Sequence, residues 1–91
     1  MESLNALRNQ IDEVDRQMQD LFLRRMALIA EISDLKQEAD LPVLDPEREK
    51  KMFRDRMEPL DGSPFAAPYR RFLECILNES KTFQEERRRR P

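Results

Sequence analysis

The chain has no histidine and no tryptophan, one glycine, one cysteine and one tyrosine among its 91 residues. Without histidine the commonest general base and metal ligand is missing, so catalysis would have to come from carboxylates, cations and amides. The lone cysteine, Cys75, excludes an internal disulfide and fits a reducing cytoplasm. Its place in an apolar run reads as a small buried hydrophobe rather than a nucleophile. One glycine and few β-branched residues argue against a sheet. No apolar run approaches the ~20 residues of a membrane span, and no signal-peptide pattern opens the chain, so no membrane partner is expected. The net charge of −2 gives no general attraction to nucleic acid.

What the sequence has in quantity is charge. Charged residues make up 40% and hydrophobic residues only 38%, the balance of long amphipathic helices with one buried face. Leu4, Leu7, Ile11, Val14, Met18, Leu21, Leu28, Ile32 and Leu35 recur at steps of three and four, with Arg25 filling the gap after Leu21. That spacing predicts one helix from about Ser3 to about Ala39 with a single apolar stripe. Such a rod is ~55 Å long at 1.5 Å per residue. A 91-residue globule has a radius of gyration near ~12 Å. The rod must project or lie against a second chain, and the stripe argues for the second chain.

The remainder reads as two more helices. Ser3 or Asn5 caps the first, with Glu2, Asp12 and Glu13 near its positive end. Pro42 ends it, since proline disfavours helix in the residue before it. Asp45-Pro46-Glu47 starts the second: an N-cap, a proline at the first helical position and an acid in the first turn. It ends at Glu58-Pro59. The stretch Pro59 to Pro64 is a turn, and the third helix begins between Pro64 and Pro68. Its stripe runs Tyr69, Phe72, Leu73, Ile76, Leu77, Ser80, Phe83, Gln84. Residues 1–91 read as one domain, with 87–91 a frayed, solvated basic tail.

Several polar residues interrupt these stripes. Arg25 lies in the seam, Lys36 lies eleven residues on and so shares its face, and Ser80 and Gln84 extend the third stripe. Buried polar and charged groups cost several kcal/mol unless partnered. Arg25 alone could be a register-fixing seam residue. Two cations on one stripe and a Ser/Gln pair on another favour a pocket for an anion. The link from Lys36 to Asp45 is short, so Arg48 and Glu49 lie close to the end of the first helix.

These residues carry a family resemblance. Leu7-Arg8-x-x-Ile11-Asp12-x-x-Asp15, Arg25-x-x-Leu28 through Lys36, Pro42-x-x-Asp45-x-x-Arg48-Glu49 and Glu79-Ser80-x-x-x-Gln84 together resemble the all-helical (AroQ-type) chorismate mutases, over roughly residues 4 to 85. The resemblance implies an all-α fold of three helices, one very long, in an intertwined antiparallel homodimer with shared active sites. It implies a cytoplasmic isomerase, an intramolecular transferase that converts chorismate to prephenate on the way to phenylalanine and tyrosine. It implies that Arg8, Arg25 and Arg48 hold the two substrate carboxylates with help from Ser80. Lys36 and Gln84 would donate to the ether oxygen of the breaking bond, and Glu49 with the backbone near Asp45 would bind the ring hydroxyl.

The chemistry fits a chain without histidine. The rearrangement is a unimolecular bond exchange that requires no base, nucleophile, metal or cofactor. An enzyme helps by holding a compact conformer and by placing donors where negative charge grows. Arg8 and Arg25 are seventeen residues apart, ~25 Å along one helix, too far to grip one ring. An antiparallel partner helix would bring Arg8 of one chain beside Arg25 and Lys36 of the other. Two rivals remain. An isochorismate–pyruvate lyase shares fold and pocket type, and a non-catalytic helical dimerisation module explains the stripe but not Lys36, Ser80 and Gln84. The chain is also compatible with being one domain of a larger bifunctional enzyme.

Overall fold

A computed structural model describes residues 3–90. Three α-helices follow one another: α1 (Leu4–Glu38), α2 (Pro46–Met57) and α3 (Ala66–Arg89), with a short 3-10 turn at Glu58–Leu60 and no strand among the described residues. The expected helices are all present. Ser3 is the N-cap of α1, its hydroxyl accepting from the Ala6 amide at 3.2 Å. Asn5 is inside the helix. No acid lies in the first turn, so Asp12 and Glu13 stand too far along to meet the positive end. Glu2 falls outside the described residues.

α1 stops in a Schellman motif. The Leu41 amide donates to the Lys36 carbonyl at 2.7 Å and the Asp40 amide to Gln37 at 3.1 Å. Asp40 occupies the left-handed position at φ 57°, a place usually given to glycine. Pro42 then prevents any continuation. α2 begins as its sequence requires: Asp45 accepts from the Arg48 amide at 3.3 Å, Pro46 follows, and Glu47 and Glu49 occupy the first turn. α3 starts at Ala66 with no side-chain cap. Its Pro68 sits in the first turn, where the missing amide hydrogen is harmless.

α3 lies along the C-terminal half of α1, with α2 set against α3. The face of α1 covered by its own chain comprises Arg25, Met26, Ile29, Ala30, Ser33 and Lys36, and Ser33 is fully buried. From α3 and the link come Leu73, Leu77 and Val43. Most of the predicted seam is left uncovered: every residue from Leu7 to Arg24 is exposed, as are Leu28, Ile32 and Leu35, while Arg25, which the sequence places in the seam, is half-buried. With extents of 58 × 31 × 14 Å and a radius of gyration of 16.8 Å, the single chain is a rod with a small core.

Two expectations are corrected. Cys75 is exposed, because it lines an apolar groove between α1 and α3, beside Phe22, Phe72 and Ile76, that its own chain leaves open. The basic tail does not fray from residue 87. α3 continues to Arg89, Arg87 grips Asp34 with Nε and Nη2 at 2.8 and 3.0 Å, and Arg88 donates to the Leu41 carbonyl. The cations suit the negative end of a helix and find acceptors on α1 and the link. Pro91 lies outside the described residues.

Candidate active site

Where the three helices converge they line a half-open cavity of about 440 Å³. α1 contributes Arg25, Leu28, Ile29, Ile32 and Lys36. The link and α2 contribute Val43, Asp45, Arg48, Glu49, Met52 and Arg56. α3 contributes Leu77, Ser80, Lys81 and Gln84. Helical spacing explains each set. Residues 25, 29, 32 and 36 return to one face of α1, residues 45, 48 or 49, 52 and 56 to one face of α2, and 77, 80, 81 and 84 to one face of α3.

Arg25 is half-buried, and its Nη1 donates to the Ser80 hydroxyl, which in turn donates to the Ile76 carbonyl at 2.9 Å. Burial lowers the guanidinium's hold on its proton, and the charge of Arg56 lowers it further. The Lys36 ammonium donates to the Val43 carbonyl at 2.9 Å, while its own carbonyl closes the Schellman turn. Both ends of this residue are therefore fixed to the link. Lys81 Nζ lies 3.2 Å from Glu49 Oε1 and 3.4 Å from Oε2. Gln84 is 5% exposed, and its Oε1 is buried without a protein partner among the described residues.

The structure thus brings Arg25, Lys36, Asp45, Arg48, Glu49, Ser80 and Gln84 to one cavity, while Arg8 stands apart. Arg8 is exposed on the far half of α1, ~25 Å along the helix from Arg25. Reading the sequence overlooked Lys81 and Arg56. Both lie on the faces just described, so the spacing carried a signal, but each resembles an ordinary surface charge. The Val43 carbonyl, a backbone group, gave no signal at all.

Among the described residues, none of Arg25, Lys36, Arg48 and Arg56 is paired with a carboxylate. Cations gathered without counter-ions favour an anionic ligand, and a concave, partly apolar wall concentrates their field. The guanidinium forks suit carboxylates, and Lys36 and Gln84 bring hydrogen-bond donors to the same space. The arrangement can hold a compact, doubly charged organic anion and meet negative charge arising within it.

Comparison with known proteins supplies a family. The model of chorismate mutase type II matches residues 7–85. A T-protein of Haemophilus influenzae is 33% identical over an alignment of 87 positions that covers 89% of this chain and 23% of that protein. A second T-protein, from Enterobacter agglomerans, is 45% identical over 53 residues, covering 58% of this chain and 14% of its own length. A chorismate mutase of Methanocaldococcus jannaschii is 35% identical over 60 residues, 66% of this chain and 60% of that protein. The chain therefore spans under a quarter of either T-protein and under two thirds of the Methanocaldococcus enzyme. No solved structure matches it significantly.

Proposed function

The chain belongs to the chorismate mutase type II family, and from that premise we propose that it rearranges chorismate to prephenate as an intramolecular transferase. The observation that carries this reading is the single cavity lined by Arg25, Lys36, Arg48, Glu49, Ser80 and Gln84, its arginines and Lys36 unpaired with any carboxylate among the described residues. The reaction breaks one carbon–oxygen bond and makes one carbon–carbon bond within the substrate. Binding energy is then most useful in holding the conformer in which the two ends meet.

In this reading Arg25 and Arg48 grip the substrate carboxylates. Ser80 steadies the Arg25 fork through the hydrogen bond already formed. Lys36 keeps donors to spare after its bond to Val43, and with the Gln84 amide it donates to the ether oxygen as charge collects there. Glu49 and the backbone near Asp45 accept the ring hydroxyl. Arg8 of the partner subunit completes the site, which makes the protein an antiparallel homodimer with two shared sites. The exposed stripe of α1 and the open groove beside Cys75 support that assembly. No helix among the described residues is long and apolar enough to cross a membrane, and a cytoplasmic location suits the single cysteine.

The test is loss of chorismate absorbance with prephenate identified as the product, and isochorismate as the control. Lys36→Ala should lower kcat/KM by at least ~10²-fold, the scale of losing one oxyanion donor. A parent protein that yields no prephenate sinks the reading, and release of pyruvate from isochorismate would transfer it to the lyase.

A further inference from the structure

Of the two cavity cations to which the family resemblance gives no role, Arg56 and Lys81, it is Lys81 that meets a carboxylate. It sits on α3 between Ser80 and Gln84, and its Nζ reaches both oxygens of Glu49, on α2, at 3.2 and 3.4 Å. The two side chains are only 27% and 32% exposed, so their attraction is less screened than that of a surface pair. We propose that Lys81 is a positioning residue: it fixes the Glu49 carboxylate on the cavity wall and offsets its charge, so that a dianionic substrate meets a hydrogen-bond acceptor without meeting an unpaired anion.

This rests on the functional reading above, and the chemistry follows from it. A substrate bearing two carboxylates and a ring hydroxyl makes opposite demands on one wall. The hydroxyl needs an acceptor, whereas the carboxylates are repelled by any bare negative charge. A carboxylate has about four lone-pair positions, so an ammonium lying against both oxygens still leaves room for a hydroxyl. Without Lys81 the charge of Glu49 faces the substrate from within the same cavity. At a separation of several Å, and at the effective dielectric of a protein site, that repulsion weakens binding by about tenfold or more.

The competing explanation is that the pair merely ties α2 to α3. The two differ in the sign of a double substitution. If the pair is a tie, Glu49→Gln added to Lys81→Met cannot help, because the tie is already broken. If Lys81 offsets charge, removing the charge it was offsetting restores binding.

Kinetics on the full chain with chorismate, alongside thermal melts, decide between them. Lys81→Met should raise KM about tenfold or more with a smaller change in kcat, because the repulsion acts on bound substrate and transition state alike. Lys81→Gln, a milder change, should do the same. Lys81→Arg, which keeps the charge, should stay within about threefold of the parent. The double variant Lys81→Met with Glu49→Gln should have a KM several-fold below that of Lys81→Met alone. A KM within about twofold of the parent in both neutral variants, or a double variant no better than the single, overturns the proposal while leaving the function in place. A parent that leaves chorismate unchanged overturns the function and this inference together.

Discussion

Gln84 is buried on the cavity wall, its amide oxygen without a partner among the described residues, and the donor in its proposed role is the NH2 group of the same amide. An amide donates at any ordinary pH. Gln84→Glu preserves the size but donates only when protonated, and a free glutamic acid titrates near ~4.3. Burial raises that value, while Lys36 and the arginines oppose the rise. Above it, a carboxylate would face the oxygen on which charge develops. The variant should therefore be much slower at neutral pH and gain on the parent as pH falls. Comparing kcat/KM from about pH 8 down to 4.5, with circular dichroism as a check on folding, tests this; parallel profiles would remove Gln84 from the ether oxygen. At this scale the sequence was legible wherever a polar residue broke an apolar stripe, as Arg25, Lys36, Ser80 and Gln84 do. Lys81 and Arg56 break none; their spacing places them on the pocket faces, but only the packing of α2 against α3 sets them apart from ordinary surface charges. Ser33 was likewise silent: a small residue one turn before Lys36, it lies off the seam and is nevertheless fully buried.

Elements were legible through their ends. Ser3, Pro42 and Asp45-Pro46 marked three boundaries to within a few residues, because capping and proline chemistry are local. The end of α3 was not, since what holds it, Asp34 and the Leu41 carbonyl, lies 53 and 47 residues away. Arg87 lowers the pKa of Asp34 mainly through its hydrogen bond, and is itself raised by Asp34 for the same reason. A carboxyl whose folded pKa is depressed contributes stability that is fully present above its unfolded value, near ~3.9, and lost as pH falls through the folded value. Arg87 stays charged throughout. Asp34→Asn should thus be less stable than the parent at neutral pH, with the gap closing below about pH 4. Urea midpoints at several pH values measure it, and a gap independent of pH would assign the loss to something other than this ion pair. The turn at Asp40 invites a second substitution. A β-branched residue tolerates φ 57° poorly, so Asp40→Val should cost about 1–2 kcal/mol and loosen the link that holds Lys36. An unchanged melting temperature would mean that the turn adapts freely.

The shape of the whole molecule followed from one number, the length of the apolar stripe, because a rod of that length cannot fold into a domain of this size. The stripe did not reveal that α3 covers a neighbouring face, that of Met26, Ile29, Ala30 and Ser33, and leaves the seam open apart from Arg25. The proposed dimer predicts a folding transition that shifts to higher temperature as protein concentration rises. If Arg8 of one chain meets the other near residue 30, the twofold axis crosses α1 near residue 19, about the mean of the two positions. Arg8→Ala chains mixed with Arg25→Ala chains should recover part of the lost activity, since one of the two hybrid sites keeps both arginines. Failure of such a mixture, with heterodimers demonstrated, would count against shared sites. One last consequence concerns the eighteen consecutive exposed residues of α1, Leu7 to Arg24. In a lone chain that half of the helix is held by its own backbone bonds and little else, and it lacks the tertiary packing from which most helical stability in proteins comes. Its amides should exchange with deuterium quickly and in order, those nearest Leu7 first, while those around Leu73 to Gln84 lag far behind. Deuterium uptake along this one helix would then report, residue by residue, how much of its length another surface is covering.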